Sequence, residues 1–199
     1  MPCRLPRFLL ALAAAAALLA ATTTAAAATV NLSEATSVGP ATAHQATVSS
    51  QCPQSVGPDA PRAVQEQAMA CLVNETRGRY GLPPLSESQT LRQSAVAKGQ
   101  DLIDCNEFSH TACGREFSYW IRETGYLSSE CWRAGENLAW GVDGPGTVDA
   151  IFRAWMHSPS HRENILGDFG EIGIDLRVGD LGGLDDVHLW VQHFGSHCA

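Results

Sequence analysis

Three histidines and one glutamate carry most of the chemistry that this sequence offers. His110 lies in Phe-Ser-His-Thr, Glu136 lies in Gly-Glu-Asn-Leu-Ala-Trp-Gly, and His157 and His161 flank Ser158-Pro159. Two histidines four residues apart can chelate zinc from one helical face, but the serine and proline interrupt this helix. His161 instead falls on the first turn of a new helix, where backbone N–H groups and the helix dipole lower imidazole basicity. A neutral imidazole there suits metal ligation.

Each of these residues also has a structural interpretation. Glu136 stands at the entry to a strand, where a buried carboxylate can accept backbone N–H bonds and lock the turn. A nucleophilic serine, Ser109 or Ser158, is a third interpretation, but no acid that would orient its histidine is identifiable. The sequence has no nucleophile elbow, His-Glu-x-x-His motif or phosphate-binding glycine loop. We expect the other histidines to be surface or hydrogen-bonded core side chains: His44, His188, His193 and His197.

Charge excludes two classes of partner. The 199 residues carry 13 Lys and Arg against 21 Asp and Glu, a formal net charge of -8, and Lys98 is the single lysine. Nucleic-acid binding and docking on anionic membranes both draw on clustered basic side chains, and the sequence has no basic run. We therefore expect neither nucleic acid nor an anionic membrane surface as a partner.

The N-terminal residues predict export. A short basic head, an apolar run and a small-residue zone make residues 1–28 a secretory signal peptide, with no membrane insertion after cleavage. The apolar run is shorter than the ~20 residues of a spanning helix. Residues 29–61 predict a flexible linker rich in Ala, Thr, Ser and Pro, and residues 62–199 a single domain.

Six cysteines remain after the predicted export segment. In an oxidising compartment an even number favours three disulfides, although 15 pairings are open. Our preferred set is Cys52–Cys71, Cys105–Cys113 and Cys131–Cys198. A zinc site is the alternative, with ligands drawn from Cys105, His110, Cys113 and Cys131.

Apolar periodicity predicts helices first and strands afterwards. Four helices are expected over residues 62–80, 88–104, 115–123 and 147–157, and a short fifth begins at Ser158-Pro159. Strands are expected over residues 136–140, 172–178 and 187–191, the last two joined by a turn at 179–186. This order predicts an α+β fold with a small antiparallel sheet covered by helices.

Five segments, in order, resemble the CAP superfamily of secreted proteins, in its bacterial branch. They are residues 71–85, 108–111, 135–141, 154–166 and 171–195, with Gly-Glu-Asn-Leu-Ala-Trp-Gly and His-Ser-Pro-Ser-His-Arg-Glu-Asn among them. The resemblance spans residues 62–196 and implies an α-β-α sandwich with an open cleft that holds two histidines and two acids.

Carried over by position, the resemblance assigns His110, His161 and Glu136 to this cleft. Ser158 occupies the place where many eukaryotic members have the second acid. Two imidazoles and a carboxylate can hold a divalent metal, zinc by preference, with one position open to water. Without the second carboxylate there is no obvious base to activate that water.

The resemblance thus implies a secreted binding module rather than an enzyme. Its cleft would engage a small amphipathic ligand, a cell-envelope component or a protein partner. The alternative is a metal-assisted extracellular hydrolase, resembling a peptidase, with His110, Glu136 and His161 as its catalytic residues. Replacement of both His110 and His161 by alanine would separate these functions. A hydrolase would lose its turnover while the fold survives, and a binding module would lose a metal site in calorimetric titration.

Overall fold

A computed structural model describes residue 52 and residues 56–128 and 131–197. Five helices form in this part of the chain: α1 Arg62–Arg79, α2 Gln89–Asp104, α3 Tyr119–Glu123, α4 Val148–His157 and α5 Pro159–Ile165. Four strands accompany them: β1 Ser86–Glu87, β2 Trp132–Gly141, β3 Glu171–Leu181 and β4 Leu184–His197. The predicted signal peptide, residues 1–28, lies outside the described residues.

The strands form one sheet in the order β1-β3-β4-β2, with helices on both faces. Core residues of α1, α4 and α5 pack on one face, around Trp155 and Trp190. Residues of α2 pack on the other face against Leu138 and Val191. The predicted α+β, α-β-α sandwich is confirmed. One detail differs, because β1 pairs with β3 in parallel and makes the sheet mixed.

The first half of strand β3 is almost entirely buried, because helices cover both faces of the sheet there. Ile172, Ile174 and Leu176 join the core beneath α1, and the residues between them face α2. A Cβ atom added at Gly173 would lie 2.1 Å from the carbonyl carbon of Leu91. The glycine therefore lets the backbone of α2 approach the sheet at this point.

Element ends differ from the sequence prediction where packing, and not local pattern, sets them. Strand β2 starts at Trp132, four residues before the predicted start, because it pairs with β4 along its whole length. The predicted turn at 179–186 shortens to Gly182 and Gly183, both with positive φ, which glycine adopts without strain. Helix α3 begins only at Tyr119.

Two of the preferred disulfides are present. Cys52 is bonded to Cys71 of α1, and Cys105 is bonded to Cys113. Cys131 is also disulfide-bonded, whereas its predicted partner Cys198 lies outside the described residues. The alternative zinc site built on Cys105 and Cys113 is therefore wrong, because their sulfurs are joined to each other.

The last residues of the predicted linker are attached to the domain. The amide of Gln65 donates to the carbonyl oxygens of Pro58 and Ala60, and Val56 packs against the core beneath α1. Within the described residues, no helix has the length and apolar character needed to cross a membrane.

Candidate functional site

Glu136 lies between two imidazole rings. Its Oε1 is 2.6 Å from Nδ1 of His110, and its Oε2 is 2.9 Å from Nε2 of His193. The Glu136 side chain is 1% exposed and that of His193 is fully buried, while the His110 side chain is 56% exposed. The carboxylate therefore joins a buried histidine to one that faces solvent.

Strand register and α2 place the buried half of this arrangement. Glu136 on β2 and His193 on β4 are direct partners in the antiparallel ladder, which brings their side chains together on the α2 face. Nδ1 of His193 is 2.6 Å from Oγ of Ser94, and that hydroxyl donates to the carbonyl oxygen of Leu91. The Ser94 hydroxyl therefore lies between Nδ1 of His193 and the Leu91 carbonyl oxygen.

Glu136 is held in its buried position by hydrogen bonds to both imidazoles. Burial alone would raise the pKa of Glu136, but hydrogen bonds from His110 and His193 outweigh it and leave that pKa below its usual value. The charged carboxylate is thus the favoured form of Glu136.

His161 occupies the short helix α5 across the edge of the sheet from α2. Its Nδ1 is 2.8 Å from Oγ of Ser158, the residue that caps α5. Burial first, and the charge of nearby His110 second, lower the pKa of His161. The direction agrees with the sequence prediction, which invoked the helix dipole.

The two candidate histidines are held in the same way. Each has its Nδ1 bonded to a neighbour, Glu136 for His110 and Ser158 for His161. Among the described residues, the side-chain hydrogen bonds of both rings use Nδ1 and not Nε2. Ser158, at the place of the second acid in the eukaryotic pattern, serves as the partner of the second histidine.

No group of three or more His, Cys, Asp or Glu side chains is arranged to hold a metal in residues 56–128 and 131–197. Glu136 accounts for this geometrically, since both of its oxygens face imidazole nitrogens. Of the three predicted ligands, the two histidines use Nδ1 and not Nε2 in their hydrogen bonds to described residues. The architectural role considered for Glu136 involves backbone N–H donors. In the structure its side-chain oxygens instead contact the imidazole rings of His110 and His193.

The other histidines stand apart from this site, with one exception. Nδ1 of His157 is 2.7 Å from the carbonyl oxygen of Arg153, and α4 ends at His157, so the interruption before His161 is confirmed. His197 contacts the carbonyl oxygen of Tyr126 through Nε2. His44 lies outside the described residues. His193 is a hydrogen-bonded core side chain, as expected, yet it also holds Glu136, which sequence reasoning missed.

An apolar pocket lies along the loop that carries His110. Phe108, Trp140 and Leu184, all more than two-fifths exposed, line a cavity of 160 Å³ together with Asn106, Leu181 and Gly182. Phe108 is two residues before His110, and Trp140 shares a face of β2 with Glu136, about 13 Å along the strand. The loop after α2 therefore runs beside β2, with its aromatic residue at one end and its histidine at the other.

A larger groove of 360 Å³ lies at the opposite edge of the sheet, between α1 and α2. Its central charges pair with each other, since Arg92 donates to Glu66 at 2.9 Å. We do not assign the function to this groove, because no histidine lines it.

Sequence comparison identifies bacterial relatives. The family model of the cysteine-rich secretory protein family, CAP, matches residues 71–194. The uncharacterized protein YkwD of Bacillus subtilis is 33% identical over 159 residues, which cover 79% of this chain and 55% of that protein. The uncharacterized membrane protein YlbC of the same organism is 28% identical over 58% of this chain and 32% of its own length. The chain thus spans about half or less of these relatives.

Solved structures share the fold. An outer surface protein of Borrelia burgdorferi superimposes with a TM-score of 0.57 at 22% identity, over 72% of this chain and all of that one. An extracellular SCP-domain protein of Bacillus anthracis has a TM-score of 0.54 at 25% identity, over 70% of this chain and 43% of its own. A cysteine-rich secretory protein of Staphylococcus aureus has a TM-score of 0.51 at 20% identity, over 69% and 40%.

Proposed function

The chain belongs to the cysteine-rich secretory protein (CAP) family, and on that premise we propose that it is a secreted binding module for a small amphipathic ligand. Structural neighbours described as extracellular or outer surface proteins support the location. A cell-envelope component or a protein that carries an amphipathic group would use the same surface.

One observation carries this proposal: the loop that bears His110 also contributes Phe108 to an apolar pocket. Phe108, Trp140 and Leu184 line this cavity, and His110 follows Phe108 by two residues. Exposed apolar side chains that cluster around a cavity mark a binding surface more often than scattered ones do. A ligand with a polar head and an apolar body would satisfy the histidine and the pocket at once.

A divalent metal at the two imidazoles fits the donor set. Nδ1 donation to Glu136 orients His110, the arrangement that commonly accompanies metal-ligating histidines, and Ser158 can play that part for His161. The lowered pKa of His161 keeps its ring neutral, as ligation requires. When bound, zinc would supply a Lewis acid for the polar head of the ligand. His110 and His161 would hold it, and Glu136 would support His110.

Hydrolysis is the less favoured function. A hydrolase needs a base that can reach water beside the scissile bond. Glu136 is the carboxylate that contacts His110, but its side chain is 1% exposed and both oxygens are hydrogen-bonded. The Ser158 hydroxyl is engaged with His161, and Oγ of Ser109 contacts Thr111. Binding therefore accounts for these residues better than turnover.

Calorimetric titration with dodecylphosphocholine below its critical micelle concentration tests the proposal. We expect saturable binding of one amphiphile per chain. Trp140→Ala removes an aromatic wall of the pocket and should weaken binding by about 1–2 kcal/mol, which is about 5–30-fold in Kd. Absence of saturable heat with the unmodified protein would overturn the amphipathic ligand.

Strand β2 provides the matched control. Trp132 is exposed to a similar extent as Trp140 and lies at the opposite end of the same strand, away from the pocket. Trp132→Ala should leave Kd unchanged within twofold. Equal weakening by both substitutions would show nonspecific adsorption to exposed indoles and would contradict the pocket assignment.

A further inference from the structure

Lys98 is the only lysine in the chain and is almost completely buried. It lies in α2 and is 2% exposed. A lysine is rarely buried to this degree unless its ammonium group is paired or hydrogen-bonded, because its charge loses hydration. The position therefore calls for partners that stabilise the ammonium group.

Those partners are in the loop that carries His110. Nζ of Lys98 donates to the carbonyl oxygen of Ser109 at 3.0 Å and to that of His110 at 2.9 Å. The carboxylate of Glu136 is close enough to interact with the ammonium electrostatically. The lysine thus holds the backbone of the histidine directly and faces the carboxylate that binds its ring.

The same face of α2 supports both rings around Glu136. Ser94 and Lys98 are four residues apart and so project from one side of the helix. Ser94 contacts the ring of His193, which meets Oε2 of Glu136, and Lys98 holds the backbone of His110, whose ring meets Oε1.

The loop has a second restraint at its base. The disulfide between Cys105 and Cys113 closes the segment that contains Phe108, Ser109 and His110. A closed loop of this length still has freedom at its centre, and Lys98 contacts the backbone there. The two restraints therefore act on different parts of the loop.

We propose that Lys98 is a positioning residue that holds His110 in register with Glu136. The inference rests on the proposed function only in that it concerns the same site. Two hydrogen bonds from the buried ammonium group fix the position of the loop backbone relative to α2. This position sets the contact between Nδ1 of His110 and the Glu136 carboxylate.

The test compares Lys98→Met with Arg92→Met on the same helix. Methionine keeps an unbranched side chain up to Cε and removes the donors, whereas Arg92 pairs with Glu66 near the N-terminus of α2. In nitrogen-15 NMR spectra without metal or ligand, Lys98→Met should lose the protected Nδ1 proton of His110, with exchange at least 10-fold faster. Arg92→Met should retain it, and Lys98→Arg should restore it in part.

An unchanged Nδ1 proton in folded Lys98→Met would overturn the proposal. If that variant does not fold, the hydrogen bonds of Lys98 are measured directly in the unmodified protein, labelled with nitrogen-15 lysine. We expect one slowly exchanging ammonium signal with couplings across hydrogen bonds to the carbonyl carbons of residues 109 and 110. A rapidly exchanging ammonium without those couplings would contradict it. Neither result depends on amphiphile binding, so the proposed function can fail while this inference stands.

Discussion

Replacement of Glu136 tests the arrangement at the centre of the site. The carboxylate accepts hydrogen bonds from two imidazoles and its side chain is 1% exposed. Glu136→Ala removes both acceptors and leaves the buried His193 without its partner. Glu136→Gln keeps the shape, and its amide can present an oxygen to His110 and an N–H group to a neutral His193.

The expected magnitudes follow from burial. Loss of the two hydrogen bonds to the buried carboxylate costs about 3–6 kcal/mol, because a hydrogen bond to a charged group contributes about 1.5–3 kcal/mol. That is a large part of the 5–15 kcal/mol typical of whole domains. The glutamine variant exchanges charge-assisted hydrogen bonds for neutral ones, so we expect a loss of about 1–2 kcal/mol.

Urea unfolding, followed by circular dichroism at neutral pH, measures these losses. Glu123→Gln is the control, since this glutamate is exposed on α3 and should change stability by less than about 0.5 kcal/mol. The reasoning is refuted if Glu136→Ala matches the control, or if glutamine is as damaging as alanine.

Three further substitutions probe the scaffold by the same unfolding measurement. Gly173→Ala should cost about 3 kcal/mol or more, because its Cβ would lie 2.1 Å from the carbonyl carbon of Leu91, while Gly170→Ala, with open space around it, should be nearly neutral. Burial raises the pKa of Asp175. The native state therefore binds more protons than the unfolded state at pH values above the ordinary carboxyl pKa. The free energy of unfolding falls as pH rises through this range. Asp175→Asn should therefore gain stability relative to the unmodified protein between pH 4 and pH 7, and a constant difference would contradict this. Replacement of both Cys52 and Cys71 by serine should lower the free energy of unfolding by about 3 kcal/mol under oxidising conditions. Under reducing conditions it should not change the free energy of unfolding.

Local pattern was enough to predict most of the scaffold. The helical period places α1, α2 and α4 within one or two residues of their observed ends, because each buries one face against the sheet. Strand β1 has two residues and no periodicity of its own. It exists because the backbone of Ser86 and Glu87 meets the edge of β3, a tertiary contact that no local pattern records.

Family resemblance anticipated one contact of the site, while the assignment of His110, Glu136 and His161 to a metal stays a prediction. His110 and Glu136 are in contact, and His161 is close enough to His110 for its pKa to respond. His193 was missed because its role depends on the register between β2 and β4, which pairs it with Glu136. The alternation of the last strand contains the signal, but only once the partner strand and its alignment are known.

Zinc titration by calorimetry is the most direct test of the claim that His110 and His161 form one centre. We expect one site per chain, lost in His110→Ala and in His161→Ala separately, and retained in His157→Ala, whose ring is held by the carbonyl of Arg153. Binding that survives either single substitution, or that disappears with His157, would contradict a shared centre at these two imidazoles.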